Sequence, residues 1–202
     1  MFALVKDGSI VKMLSGNQGV TIDDIQHPKA IFTLWTKDER EAIGVYEVEM
    51  NNSKKKDEKW YINTDVTYSF GSGKVTGSYG DATARKHADT LFTAQDESDG
   101  KGTEGDVATE GLKTVLIRDV KKSAESELSK TDWYITRKTE KNTAIPSSIT
   151  THRDAVRSKQ ASMETSITNA SDTPALETLY TVVKNEDGTF ARPIGEIPVK
   201  DF

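Results

Sequence analysis

The apolar residues of this chain change their period part-way along it, and that change separates what must be sheet from what must be helix. Phe2 to Lys6 and Ser9 to Leu14 are rich in Val, Ile and Leu, and they flank Asp7-Gly8, a pair that supplies the positive φ angles of a tight hairpin. Gly44-Val45-Tyr46-Glu47-Val48-Glu49 alternates apolar and polar residues, the two-residue period of a strand with one buried face. Lys59 to Phe70 reads as another strand weighted by Trp60, Ile62 and Val66, and Gly71-Ser72-Gly73 turns it into Lys74 to Tyr79 as a second hairpin. Gly16 to Pro28 reads as loop, and Ile31 to Trp35 fits either a strand or a short helix. Residues 1–80 therefore predict a small antiparallel β domain.

Beyond Asp81 the residues favour helix: Ala82, Ala84, Ala88 and Leu91 run without a turn residue to Ser98. Between Asp96 and Gly111 lie Gly100, Gly102, Gly105 and Gly111 with Asp96, Glu97, Asp99, Glu104 and Asp106, and almost nothing apolar to bury. Residues 81–111 thus predict a helix followed by an acidic, glycine-rich linker. From residue 112 the period lengthens: Leu112, Val115, Leu116, Val120, Ala124 and Leu128 make one helical stripe, and Ile149, Val156, Met163 and Ile167 a second, with Pro146 suited to a first turn. A shorter helix starts at Thr173-Pro174 and carries Leu176, Leu179 and Val183. Residues 112–183 predict an α-helical hairpin domain. Residues 184–202, punctuated by Pro193 and Pro198, predict an extended tail that lies along a neighbour or stays loose. The predicted class is α+β.

Composition narrows function by exclusion. With 27 Lys and Arg against 32 Asp and Glu and a net charge of −5, there is no basic stripe to attract a phosphate backbone, so nucleic acid is not an expected partner. Cysteine is absent, which removes disulfides, thiolate metal sites and a thiol nucleophile. Aromatics at 7% and many polar residues point to a surface-rich shape or to burial against other subunits. The apolar start, Phe2 to Val5, is too short for a signal-peptide core or a membrane span, so the expectation is a soluble chain made in a cytoplasm, with no membrane partner.

Motifs that carry chemistry fail at their checkpoints. His27, His87 and His152 stand on different predicted elements at no metal-ligand spacing, which gives each a surface or core-edge role. No Gly-x-Ser-x-Gly occurs. Gly73-Lys74 lacks both the upstream glycine, replaced by Tyr68, and the following hydroxyl, replaced by Val75, of a phosphate loop. Asp23-Asp24 and Glu39 with Glu41 read as solvated charge, and Lys54-Lys55-Lys56, followed by Asp57-Glu58, as a solubilising loop. No catalytic residue, cofactor or metal is expected. Trp133, at the end of the first helical stripe, is expected to cap the apolar seam of the hairpin, the alternative being an anchor for a partner.

Three runs then carry a resemblance: Leu128-Ser129-Lys130-Thr131-Asp132-Trp133-Tyr134-Ile135-Thr136-Arg137-Lys138, Ile145-Pro146, and Thr151-His152-Arg153-Asp154-Ala155-Val156-Arg157. Together they resemble the C-terminal region of the tail assembly chaperones, or tail fibre assembly proteins, of tailed bacteriophages, including marine phages. Phe2 to Gly8 and Gly44 to Val48 look like the small N-terminal domain such proteins often carry. The resemblance implies a non-enzymatic structural or adaptor protein of the tail, at baseplate, tail tip or fibre attachment, that docks other tail proteins. Its contact residues would be Trp133, Tyr134, Arg137, Arg153 and Arg157. It also implies a homo-oligomer or symmetric assembly, residence in the virion tail, and the host cytoplasm during assembly. The alternative it leaves is a chaperone that departs before the virion is complete.

Overall fold

In the computed structural model, which describes residues 1–201, both secondary-structure types occur and segregate along the chain, as an α+β class requires. The chain divides into two units, Met1–Thr83 and Ala84–Phe202.

The first unit contains β1 (Phe2–Lys6), β2 (Ser9–Leu14), β3 (Val20–Ile22), β4 (Ile25–His27), α1 (Ile31–Leu34), α2 (Lys37–Ala42), β5 (Val45–Asn51), β6 (Tyr61–Ile62), β7 (Thr67–Gly71) and β8 (Lys74–Ser78). Both predicted hairpins form, and each turns on two successive positive-φ residues, Asp7-Gly8 and Ser72-Gly73. Five strands make one sheet in the order β2-β1-β5-β8-β7. The sheet corrects the wholly antiparallel expectation, because β5 and β8 run parallel, with Val48 opposite Val75 and Met50 opposite Gly77. The alternation read in β5 holds from Tyr46 to Glu49, with Tyr46 and Val48 half-buried and Glu47 and Glu49 exposed, while β1 beside it is covered on both faces. Phe2, Leu4 and Val45 pack on one side with Leu14, Val20, Ile22, Ile31 and Phe32, while Ala3, Val5 and Val75 pack on the other with Ile10, Met13, Tyr46, Val48 and Phe70. Residues 16–28 are not loop throughout, since β3 and β4 pair within them, and Ile31–Leu34 takes the helical alternative. The expected strand from Lys59 to Phe70 is interrupted between β6 and β7. Thr36 and Glu39 cap α2 reciprocally.

Strand β9 (Thr83–Ala84) stands at the junction, and the second unit continues with β10 (Thr90–Leu91), α3 (Ala94–Ser98), β11 (Val107–Thr109), α4 (Leu112–Ser129), α5 (Asp132–Lys141), α6 (Ser147–Asn169), α7 (Thr173–Tyr180), β12 (Val183–Lys184) and β13 (Phe190–Ala191). Lys113 near the start of α4 donates to the Thr168 carbonyl near the end of α6, and Glu127 near the end of α4 meets His152 near the start of α6, so the two long helices are antiparallel. Leu116, Val120 and Ala124 face Ile149, Val156, Met163 and Ile167, the stripes predicted from spacing, and Leu176 and Ile194 complete the core.

Several expectations for this unit need correction. Residues 81–93 are not helix. The Lys86 and His87 carbonyls accept the N–H groups of Leu112 and Lys113 instead, and tertiary pairing overrides helix propensity. The acidic stretch is not a free linker: Phe92 exchanges backbone hydrogen bonds with Gly105 and Asp106, Gly102 lies against its ring, and Lys101 bridges Asp96 and Asp99. Neutralisation by Lys101 and capping by Thr93 let the acids gather, and those contacts hold Asp96 down to about 2, the Thr93 hydroxyl first among them. The α7 cap is Asp172, one residue before the expected Thr173, whose hydroxyl donates to the Arg85 carbonyl. The tail beyond Lys184 is bound to its own unit, with Ile194 buried, its N–H on the Leu179 carbonyl, and the Lys200 N–H on Glu127; Phe202 lies outside the described residues. Among the described residues, no helix is long and apolar enough to cross a membrane.

Gly44 joins α2 to β5 at φ +77°, where an added Cβ would stand 2.6 Å from the Val5 carbonyl oxygen. Gly44→Ala is expected to lower stability by about 1–3 kcal/mol, read as a lower urea midpoint with the denaturant slope unchanged.

Candidate functional site

The elbow between α4 and α5 is built from both ends of the motif that carries the resemblance. At the end of α4 the Leu128 carbonyl is one of the acceptors a helix leaves unpaired. The Thr131 N–H and hydroxyl both donate to it, at 3.1 and 3.0 Å. Arg153, on α6, adds a charged donor. Its Nη1 lies 2.8 Å from the Leu128 carbonyl, 2.7 Å from Thr131 Oγ1 and 2.9 Å from Asp132 Oδ1. A cation thus closes the negative end of one helix and pairs with the first-turn carboxylate of the next, both favourable with the helix dipoles. Arg153 and Thr131 are buried, and Arg153 Nε is buried without a hydrogen-bond partner.

One turn away, the buried carboxylate of Glu127 meets His152 Nε2 at 2.9 Å and the Lys200 N–H at 3.1 Å, and pairs with Lys130. Burial pushes Glu127 up, but the hydrogen bonds from Lys130, Lys200 and His152 outweigh burial and hold it below its ordinary 4.5. Another carboxylate, Asp89, does for the start of α4 what its own cap residue, Gly111, cannot. It accepts from the Gly111 N–H at 2.6 Å and from the Thr114 hydroxyl at 2.7 Å, and these bonds lower its pKa, the Gly111 bond first.

Helix α5 occupies the residues between the two predicted stripes, and none of its side chains is buried. Trp133 is 51% exposed, so it does not cap a seam, and that expectation is corrected. Its ring instead stacks on that of its sequence neighbour Tyr134, centroids 3.7 Å apart, and Arg137 lies over both rings, at 5.0 Å from Trp133 and 5.7 Å from Tyr134. The Trp133 to Arg137 spacing is that of side chains stacked along one helix face. The far end closes on Asn142, in the left-handed conformation that ends a helix, with Lys138 donating to its side chain.

The structure therefore brings Trp133, Tyr134 and Arg137 together on one face of α5. Arg153 sits apart from that face, buried in the elbow, and Arg157 lies on the exposed side of α6 beside Asp154. Thr131, Asp132, Glu127 and His152 complete the elbow but were not singled out as site residues. Glu127 and His152 carry a signal nonetheless: each falls three residues after an apolar stripe position, Ala124 and Ile149, so an acid and an imidazole point inward on facing helices. Among the described residues, no group of His, Asp and Glu is placed to hold a metal ion. The chain matches no protein-family model, no curated protein and no solved structure.

Arg153→Ala is expected to cost about 2–3 kcal/mol, the value of hydrogen bonds to a charged donor, because Asp132 returns to solvent rather than being left buried; far-UV circular dichroism would show helix loss as α5 comes free. Glu127 has a depressed folded pKa, so its contribution is present above the unfolded value and lost as pH falls through the folded one. Stability should therefore fall below about pH 4.5. In Glu127→Gln the starting stability is lower and that decline is shallower, which thermal melts across pH would measure.

Proposed function

We propose that this protein is a non-enzymatic adaptor of a tailed bacteriophage, held in the tail at baseplate, tail tip or fibre attachment, where the α5 face docks a neighbouring tail protein. The observation that carries the reading is the elbow. The residues on which the resemblance to tail assembly proteins rests, Thr131, Asp132 and Arg153, meet in one hydrogen-bonded cluster and hold Trp133 and Tyr134 out on a helix with no core contact of its own. An exposed, oriented aromatic is what a docking anchor needs. The buried carboxylate and imidazole of Glu127 and His152 have a structural use in this reading: with Lys130 and Lys200 they tie α4, α6 and the tail together.

A second reading, a tail or tail fibre assembly chaperone that leaves before the particle is complete, draws on the exposed Val182, Val183 and Phe190 around the β12–β13 hairpin, an apolar surface suited to a passing partner. Mass spectrometry of purified particles separates the two. Retention at a stoichiometric level supports the adaptor; absence from complete, infectious particles supports the chaperone.

Trp133→Ala is expected to change the melting free energy by less than about 1 kcal/mol, as for a surface residue, while removing the protein from particles or from its partner. A large drop in stability with docking intact would refute the anchor.

A further inference from the structure

Arg137 differs from most arginines in the chain. Arg40, Arg118, Arg153, Arg157 and Arg192 each reach a carboxylate. Arg137 makes no ion pair among the described residues, and its guanidinium lies over Trp133 and Tyr134 instead. With no carboxylate of its own chain paired to it, this guanidinium keeps N–H donors for the parallel hydrogen bonds by which arginine binds a carboxylate. The rings also fix the side chain before any partner arrives, which lowers the entropy lost on pairing.

The charge of the helix around it is net positive. In the last turns of α5, Arg137, Lys138 and Lys141 stand against Glu140 alone, within a chain of net charge −5. Beside this cation is an apolar group open to solvent, Trp133, 51% exposed. A cation held on aromatic rings, next to exposed apolar surface, complements a carboxylate that has an apolar side chain beside it.

We infer that the α5 face binds an acidic segment of a partner protein, with Arg137 clasping a carboxylate and the Trp133–Tyr134 stack covering the apolar residue next to it. This rests on the docking reading above and adds the chemistry of what docks. A phosphate backbone fits less well, because Asp132 and Glu140 share the helix and a single stacked cation is no track for repeated phosphates.

The probe is a fluorescein-labelled peptide of repeated Glu-Leu-Glu-Ala units, titrated by anisotropy with the full-length protein. A Gln-for-Glu peptide, a Lys-for-Glu peptide and a single-stranded oligonucleotide serve as comparisons. The acidic peptide should bind, Arg137→Gln should weaken it by about tenfold to a hundredfold, and Arg118→Gln, an equal change of charge on α4, should leave it unaltered. Arg137→Glu should transfer preference to the Lys peptide, with circular dichroism showing α5 still helical. The inference is overturned if the acidic peptide does not bind, if Arg118→Gln weakens it as much as Arg137→Gln, if the Gln peptide binds equally well, or if the oligonucleotide displaces the peptide. Particle incorporation keeps the two readings apart. If Trp133→Ala is excluded while Arg137→Gln enters particles normally, docking stands and the acidic partner falls. If both enter normally while peptide binding depends on Arg137, the acidic site stands and the tail-docking role falls.

Discussion

Arg153 is the constraint on which the second unit's geometry depends. Taking a guanidinium out of water costs several kcal/mol, and here it is recovered through one nitrogen serving three acceptors, while Nε is left buried without a partner. Compared with well-packed apolar residues in its place, such a balance gains little stability. What it contributes is direction: the Leu128 carbonyl in the last turn of α4 and the first carboxylate of α5 must both come to the same point on α6. Without that convergence nothing in the core would orient α5, because none of its side chains is buried.

The same logic explains why a ten-residue helix with no buried face is helical at all. Isolated helices shorter than about 12–15 residues are marginal in water. In α5 the ends supply what the middle lacks: Asp132 with Arg153 at the start, and Lys138, Lys141 and the left-handed Asn142 at the finish. A helix ordered from its termini is free to present any of its faces, and its aromatic face is the one that carries Trp133 and Tyr134.

What the sequence made legible follows from where the determining interactions are local. The two hairpins were readable because Asp7-Gly8 and Ser72-Gly73 take positive φ angles, and the α4 and α6 stripes because Leu116, Val120, Val156 and Ile167 repeat at helical spacing and are buried. The failures lie where the partner is distant in sequence. Ala82 to Leu91 favour helix by propensity, yet Asp89 and its neighbours are taken up by the start of α4 more than twenty residues on. The acidic glycine-rich stretch read as a linker because nothing local shows that Lys101 will gather Asp96 and Asp99 or that Phe92 will pair with Asp106. Of the site, Trp133, Tyr134 and Arg137 were identifiable as residues, but only the fold shows that Arg153 is a buried clasp rather than a fourth member of the surface.

Unit one contains the same pairing of cation and aromatic in an inverted arrangement, and the contrast bears on what α5 is for. There, Lys56 lies 4.3 Å from the ring centre of Tyr61 and Lys59 lies 4.6 Å from that of Trp60. The rings are buried and the lysines exposed, with each ammonium group itself over the ring. On α5 the ring is exposed and the arginine half-buried against it. In the first case the cation shields the aromatic from solvent; in the second the aromatic positions the cation and remains uncovered itself. Exposed apolar surface held in a fixed orientation lacks the burial that would stabilise it within its own chain, and the docking proposed above would supply that burial.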